Sequence, residues 1–245
     1  MENLEKLCDI IFGDYKVVVI TGAGISTLSG IADFRGKDGL YTRGENVGYL
    51  MSIKCFEKEP DKFYEFYRNN LMVENLEPNI IHNVLAKLEE RGLIDRIITQ
   101  NIDSLHTKAG SKRVIELHGS GDKFYCTNCG VNHSFSEYKE SCKCKECGGM
   151  VRPDIALYGE NIKLGDSIKA RQAVINADKV VVLGSSISVG TVRNLLLQFM
   201  NHKSDFTYDD IFIVNANPTC MDCCARTCSE DLGEVFKKIL TYDKK

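Results

Sequence analysis

KVVVITGAGIST, residues 16–27, decides the fold. Its first half is a short β-branched run, the pattern of a strand buried on both faces of a parallel sheet. Its second half is a turn carrying Gly22 and Gly24. Glycines there let backbone N–H groups approach a pyrophosphate, and a following helix N-terminus adds a favourable dipole. The dinucleotide pattern G-x-G-x-x-G is incomplete, because Thr27 stands where its third glycine belongs. No strand ending in an acidic residue follows about 20 residues later. Dehydrogenase-type cofactor binding is therefore not expected.

Four more apolar runs follow: DRIIT (95–99), RVIEL (113–117), KVVVL (179–183) and IFIV (211–214). Helical patterns separate most of them. Asn79 to Arg91 carries Ile80, Ile81, Val84, Leu85 and Leu88 on one face, begins after Pro78 and stops at Gly92. Residues 165–177, 191–201 and 231–241 also read as helices. This alternation predicts an α/β fold, a Rossmann-like doubly wound parallel sheet. Two segments break it: 35–72, aromatic and helical in character, and 121–152, rich in cysteine. The expected organisation is a large domain from 1–34, 73–120 and 153–245. A smaller one combines the helical module 35–72 with the cysteine-rich module 121–152.

The 245 residues are 43% apolar, enough for a substantial core. Net charge is −3, with no basic tract to neutralise phosphates, so nucleic-acid binding is not expected. No apolar run approaches the length of a membrane span. The start MENLEKLCDI is charged and helical, unlike a secretory signal, which predicts a cytoplasmic protein.

Cys126/Cys129 and Cys144/Cys147 form two C-x-x-C pairs separated by 14 residues. C-x-x-C lets two thiolates from one tight turn reach one ion, so two such turns predict one tetrahedral zinc. Four cysteine ligands leave no open position, which makes this zinc structural. Cys142 lies close enough to compete for the second pair. A second group, Cys220, Cys223, Cys224 and Cys228, sits in one short segment entering a helix, with no second turn to close a tetrahedron.

Ligands bind beyond the carboxyl ends of such a sheet. There the sequence places Gln100, Asn101, Asp103 and Ser104; His118 and Gly119; Gly184, Ser185 and Ser186; and Asn215 and Asn217. One large polar ligand is able to touch them all. His82 and His106 fall on helical patterns and read as structural.

The chain resembles the sirtuins, the NAD-dependent protein lysine deacylases. The matching stretches are GAGIS (22–26), ADFRG (32–36), TQNID (99–103), ELHG (116–119), the four-cysteine pattern, VRPDIALYGE (151–160), GSSISV (184–189) and VNANPT (214–219). The resemblance implies a cleft between the two domains where NAD meets an acyl-lysine peptide. It implies that Ala23, Thr27, Phe34 and Arg35 line the NAD pocket, and that Gln100 contacts the nicotinamide-side ribose. Asn101, Ile102 and Asp103 form the nicotinamide pocket. Ser185, Ser186 and Asn215 hold phosphate and the adenosine ribose, with Asp231 and Leu232 near the adenine. Ile155, Ala156, Leu157 and Tyr158 pair with the substrate as an extended strand, a β-augmentation mode. His118 is the general base, since a histidine titrates near neutrality. The implied products are free lysine, nicotinamide and O-acetyl-ADP-ribose.

Departures from the family pattern are Ala32 for proline, Ser185 for threonine and Tyr158 for phenylalanine. The Tyr-x-x-Arg pair of the form specialised for acidic acyl groups is missing from FYEFYRNN (63–70), so deacetylation is expected over desuccinylation. The stripe Phe63, Tyr64, Phe66 and Tyr67 is expected to be core. Two other readings share the motifs: mono-ADP-ribosyl transfer, and a nucleotide-sensing module without turnover. A complete His118 site favours deacylation.

Overall fold

A computed structural model describes residues 2–31, 39 and 46–242. Phe34 and Arg35, and with them Ala32, lie outside the described residues.

The strands are β1 (Val17–Thr21), β2 (Arg96–Thr99), β3 (Val114–Glu116), β4 (Gly119–Cys126), β5 (Asn132–His133), β6 (Val151–Ile155), β7 (Lys179–Leu183), β8 (Ile211–Val214) and β9 (Arg226–Cys228). Six form one sheet in the order β3-β2-β1-β7-β8-β9, and every pairing in it is parallel. The reversal beside β1 is the switch point of a doubly wound sheet.

The β-branched runs do not alternate with polar residues because both faces are covered. Val17 and Val19 face helices Glu2–Phe12, Ile80–Glu90 and Leu232–Tyr242. Val18 and Ile20 face helices Leu164–Ile175 and Gly190–His202. Burying each such side chain contributes roughly 1.5–3 kcal/mol.

All five strands expected from the sequence are present. The sixth, β9, was not expected: its segment read as a helix entrance. Instead a 3-10 turn at Asp222–Cys224 leads into a three-residue edge strand beside β8. Three residues carry no measurable period, so only pairing reveals such a strand. Its Cys228 is buried in the core beneath the sheet.

A second, antiparallel sheet has the order β5-β4-β6. Its core is shared with helices Val47–Leu50, Ile53–Lys58 and Pro60–Asn70. Phe63, Phe66 and Tyr67 are buried there, and Tyr138 meets Tyr64 and Tyr67 edge-on. The Tyr64 hydroxyl donates to the carbonyls of Tyr138 and Lys139. The aromatic stripe is therefore core. No helix among the described residues is long and apolar enough to cross a membrane.

Candidate active site and metal centre

The carboxyl ends of β1, β2, β7 and β8, with the turn between β3 and β4, open into one cavity of about 550 Å³. Its walls include Ala23, Thr27, Gln100, Asn101, Ile102, His118, Ser185, Ser186, Asn215, Asp231 and Leu232, from six separate stretches of sequence. Ile155, Ala156, Leu157 and Tyr158 form the wall on the small-sheet side.

Two turns interlock at its floor. The Gly24 N–H donates to the Gly184 carbonyl at 2.9 Å. A Cβ on Gly24 would lie 2.8 Å from the Gly184 Cα, and Gly184 itself adopts φ +61°. These glycines therefore allow the close approach of one turn to the other, and Gly22, Gly24 and Gly184 also line the cavity. Gly24 lies within a 3-10 helix, Ala23–Ser29, whose Ile25 and Ser26 are buried.

His118 follows β3. Its Nδ1 lies 2.9 Å from the Gln100 carbonyl oxygen. A carbonyl only accepts, so Nδ1 carries the hydrogen and Nε2 keeps a lone pair. Burial pushes the ring's pKa below its ordinary value, and the bond to Gln100 opposes this in part. The neutral ring is thus a proton acceptor at neutral pH. Gly119 follows, with φ +80° and the Asp154 carbonyl 2.1 Å from where a Cβ would sit, so the turn leaving the histidine requires glycine.

A polar network fixes the other side chains. Ser185 Oγ donates to Gln100 Oε1 at 2.7 Å. Asn101 Nδ2 donates to the Gly22 carbonyl and to Ser26 Oγ, at 3.2 and 3.1 Å. Ser26 Oγ in turn donates to Asp103 Oδ2 at 2.7 Å, while Asp103 Oδ1 accepts from the Leu105 N–H. Asp103 stands behind Asn101 and is not part of the cavity wall.

The sulfurs of Cys126, Cys129, Cys144 and Cys147 all lie within 4.8 Å of one another. Cys126–Cys147 is 3.5 Å and Cys129–Cys144 is 3.7 Å. A tetrahedron with Zn–S bonds of about 2.3 Å has sulfurs about 3.8 Å apart, so the group fits one zinc. The Asn128 backbone N–H approaches Cys126 Sγ and its side-chain amide approaches Cys147 Sγ, both at 3.4 Å, which suits thiolate ligands. Cys142 is buried in the small-domain core, outside this group. Cys220, Cys223, Cys224 and Cys228 do not converge into a comparable group among the described residues.

Residues 22–191 match the profile of the Sir2 family. The chain belongs to the Sir2 family. It is 37% identical over 236 residues to an NAD-dependent protein deacetylase of Listeria monocytogenes, covering 96% of this chain and 100% of that one. Among solved structures it resembles a Sir2 with a deacetylated p53 peptide and 3′-O-acetyl-ADP-ribose, at TM-score 0.89 and 34% identity over 98% of both chains. It also resembles a Sir2 with p53 peptide and NAD+, at TM-score 0.87 and 34% identity, again over 98% of each.

Within this Sir2 frame the segment 155–158 is held from both sides. Its N–H groups at Ala156 and Tyr158 donate to the carbonyls of His118 and Met51, both at 2.9 Å. The Leu157 N–H donates to Glu160 Oε2. The Ala156 carbonyl takes part in none of these bonds. Sequence reasoning missed two contributors here, Arg152 and Glu160. The only signal was a pair of opposite charges at the two ends of RPDIALYGE. It also missed Ile187, a cavity residue at φ +53°, a costly backbone state for a β-branched side chain.

His82 and His106 are buried behind the site, 5.0 Å apart between ring centroids. His106 Nε2 meets Thr21 Oγ1 at 2.9 Å, whereas His106 Nδ1 and His82 Nε2 have no partner among the described residues. Burial pulls His82 down to about 4 and His106 to about 3, each from 6.5. Below 6.5 the unfolded chain binds these protons and the folded chain does not. Stability should therefore fall as pH drops from about 6.5 toward 3. Urea midpoints at pH 7 and pH 5 measure this. The fall should be smaller in His106→Leu, and an equal fall in both proteins would contradict the assignment.

Proposed function

We propose that this Sir2-family chain is an NAD-dependent protein lysine deacetylase. The observation that carries the reading is His118, its Nδ1–H tied to Gln100 and its Nε2 free, on the wall of a cavity bordered by the carboxyl ends of β1, β2, β7 and β8. NAD is consumed as a co-substrate. Nicotinamide leaves the ribose C1′ as the acyl oxygen of acetyl-lysine attacks that carbon. His118 Nε2 takes the proton of the 2′-hydroxyl, directly or through the 3′-hydroxyl. The freed oxygen attacks the acyl carbon, and water completes release of the lysine amine. The overall change is acetyl-lysine, NAD and water to lysine, nicotinamide and O-acetyl-ADP-ribose.

Gln100 is assigned to the nicotinamide-side ribose. Asn101 and Ile102 are assigned to the nicotinamide, with Asp103 orienting Asn101 through Ser26. Ser185, Ser186 and Asn215 are assigned to phosphate and adenosine ribose, and Asp231 and Leu232 to the adenine. Ala23 and Thr27 line the same pocket, and Phe34 and Arg35 are assigned to it from the sequence. The acyl-lysine peptide lies along Ile155–Tyr158, where the Ala156 carbonyl is the acceptor left open. The zinc at Cys126, Cys129, Cys144 and Cys147 is structural. Eleven cysteines with no disulfide among them suit a reducing compartment, and we place the protein in the cytoplasm.

No arginine or lysine lines the cavity among the described residues. Arg68 packs on the Tyr64 ring, 5.4 Å from its centroid, and the Tyr64 hydroxyl is engaged elsewhere. A succinyl carboxylate would lack the bidentate arginine of a Tyr-x-x-Arg pair. The acetyl peptide should exceed the succinyl peptide in kcat/KM by on the order of a hundredfold. Comparable values would sink the assignment. Nicotinamide release should require the acetyl-lysine peptide, one nicotinamide per acetyl lost. Release without that peptide would favour ADP-ribosyl transfer instead.

A further inference from the structure

Arg152 is one of the few charged side chains buried among the described residues, at 5% exposure. Its guanidinium makes a bidentate pair with Glu160, Nη1 to Oε1 at 2.7 Å and Nη2 to Oε2 at 2.8 Å. Nη2 also donates to the Ile155 carbonyl at 2.8 Å, and Cζ sits 5.3 Å from the centroid of the Phe56 ring. Glu160 Oε2 accepts in addition from the Leu157 N–H at 2.8 Å, and the Glu160 N–H donates to the Leu157 carbonyl at 2.9 Å. The ion pair thus holds the backbone carbonyl immediately before Ala156 and the N–H immediately after it, while the Glu160 backbone N–H holds the Leu157 carbonyl.

The same stretch is stitched to two further elements. The Ala156 N–H bonds to the His118 carbonyl, and Tyr158 exchanges bonds with Met51 and Ile53 of the helical module. With those groups engaged, the Ala156 carbonyl remains as the acceptor for a substrate amide. Its direction is set by Ile155 and Leu157, and both are set by Arg152 and Glu160.

We propose that Arg152 and Glu160 are positioning residues for the acyl-lysine substrate: their ion pair aims the Ala156 carbonyl at the substrate amide, at a fixed place beside His118. This rests on the deacetylase reading. A lysine cannot replace Arg152, because an ammonium has no planar fork to span both carboxylate oxygens and the Ile155 carbonyl. Removing one partner leaves a buried charge unpaired and threatens folding, whereas replacing both partners together is often near neutral for stability. The double replacement therefore separates aim from folding.

The test compares wild type, Arg152→Lys and the double variant Arg152→Met/Glu160→Gln. Each is assayed for KM and kcat with an acetyl-lysine peptide, KM for NAD, direct peptide binding by fluorescence anisotropy, zinc content and Tm. The double variant should keep its zinc and a Tm within a few degrees of wild type. Its peptide KM and peptide Kd should rise on the order of tenfold, with KM for NAD within about twofold. Arg152→Lys should show the same peptide defect. A folded double variant that binds peptide as wild type does overturns the proposal. So does an equal rise in both KM values, which would mean a general loosening of the cavity. A wild type that neither binds nor turns over the peptide overturns the deacetylase reading itself, an outcome distinct from the other two.

Discussion

Replacing His118 by alanine should abolish deacetylation while leaving NAD binding largely intact. The loss in kcat is expected to be about 10²–10⁴-fold, the usual contribution of a positioned general base. The ring's one firm bond is to the Gln100 carbonyl, which is itself fixed by chain geometry and does not depend on the imidazole. The cavity walls contributed by Ser185, Asn215 and Leu232 stand apart from this position in the sequence, so cofactor affinity should change little. The pH profile supplies a second signature. The base works when neutral, and burial holds its pKa below the ordinary 6.5. Activity in the wild type should therefore hold as pH falls to 6.5 and drop only below it, and that acid limb should disappear from any residual rate of the variant. NAD affinity by calorimetry and rate by peptide assay check the two halves. Retained turnover in His118→Ala would remove the base from the mechanism.

The second large effect is at the metal centre. Cys144→Ser should lose zinc and lower Tm by on the order of 10 °C. The antiparallel sheet and the helices against it share a separate core, but Cys126 and Cys144 belong both to that core and to the four-sulfur group, so metal binding and packing are one event there. Cys142→Ser should cost stability through its buried position yet keep the metal, and Cys220→Ser should change neither. Elemental analysis beside calorimetric Tm distinguishes them. A Cys144→Ser protein that is folded, zinc-free and fully active would refute a structural zinc. A zinc-free Cys142→Ser protein would put the ligand set in error.

The large domain was legible because its strands are unambiguous. A run such as KVVVI is apolar on both faces, and here both faces are covered by helices. Strand ends then followed from strand positions, which is why Gln100, His118, Ser185 and Asn215 could be chosen together. What the sequence hid was tertiary. Gly24 lines the cavity as its turn suggested, but its missing Cβ also makes room for Gly184, a residue 160 positions away. β9 exists because β8 offers it an edge, and RTC has no pattern of its own. Arg152 and Glu160 sit eight residues apart in VRPDIALYGE, and nothing in that spacing assigns them a role. Only the fold around Ala156 brings them into one buried pair. Asp103 was read as a pocket residue, and the structure gives it a place one layer back, behind Ser26 and Asn101.

The most direct measurement of the central claim is mass spectrometry of an acetyl-lysine peptide incubated with the protein, with and without NAD. The account predicts loss of the acetyl group only with NAD, matched by equal amounts of nicotinamide and O-acetyl-ADP-ribose. Acetyl loss without NAD, or acetate appearing in place of O-acetyl-ADP-ribose, would contradict it.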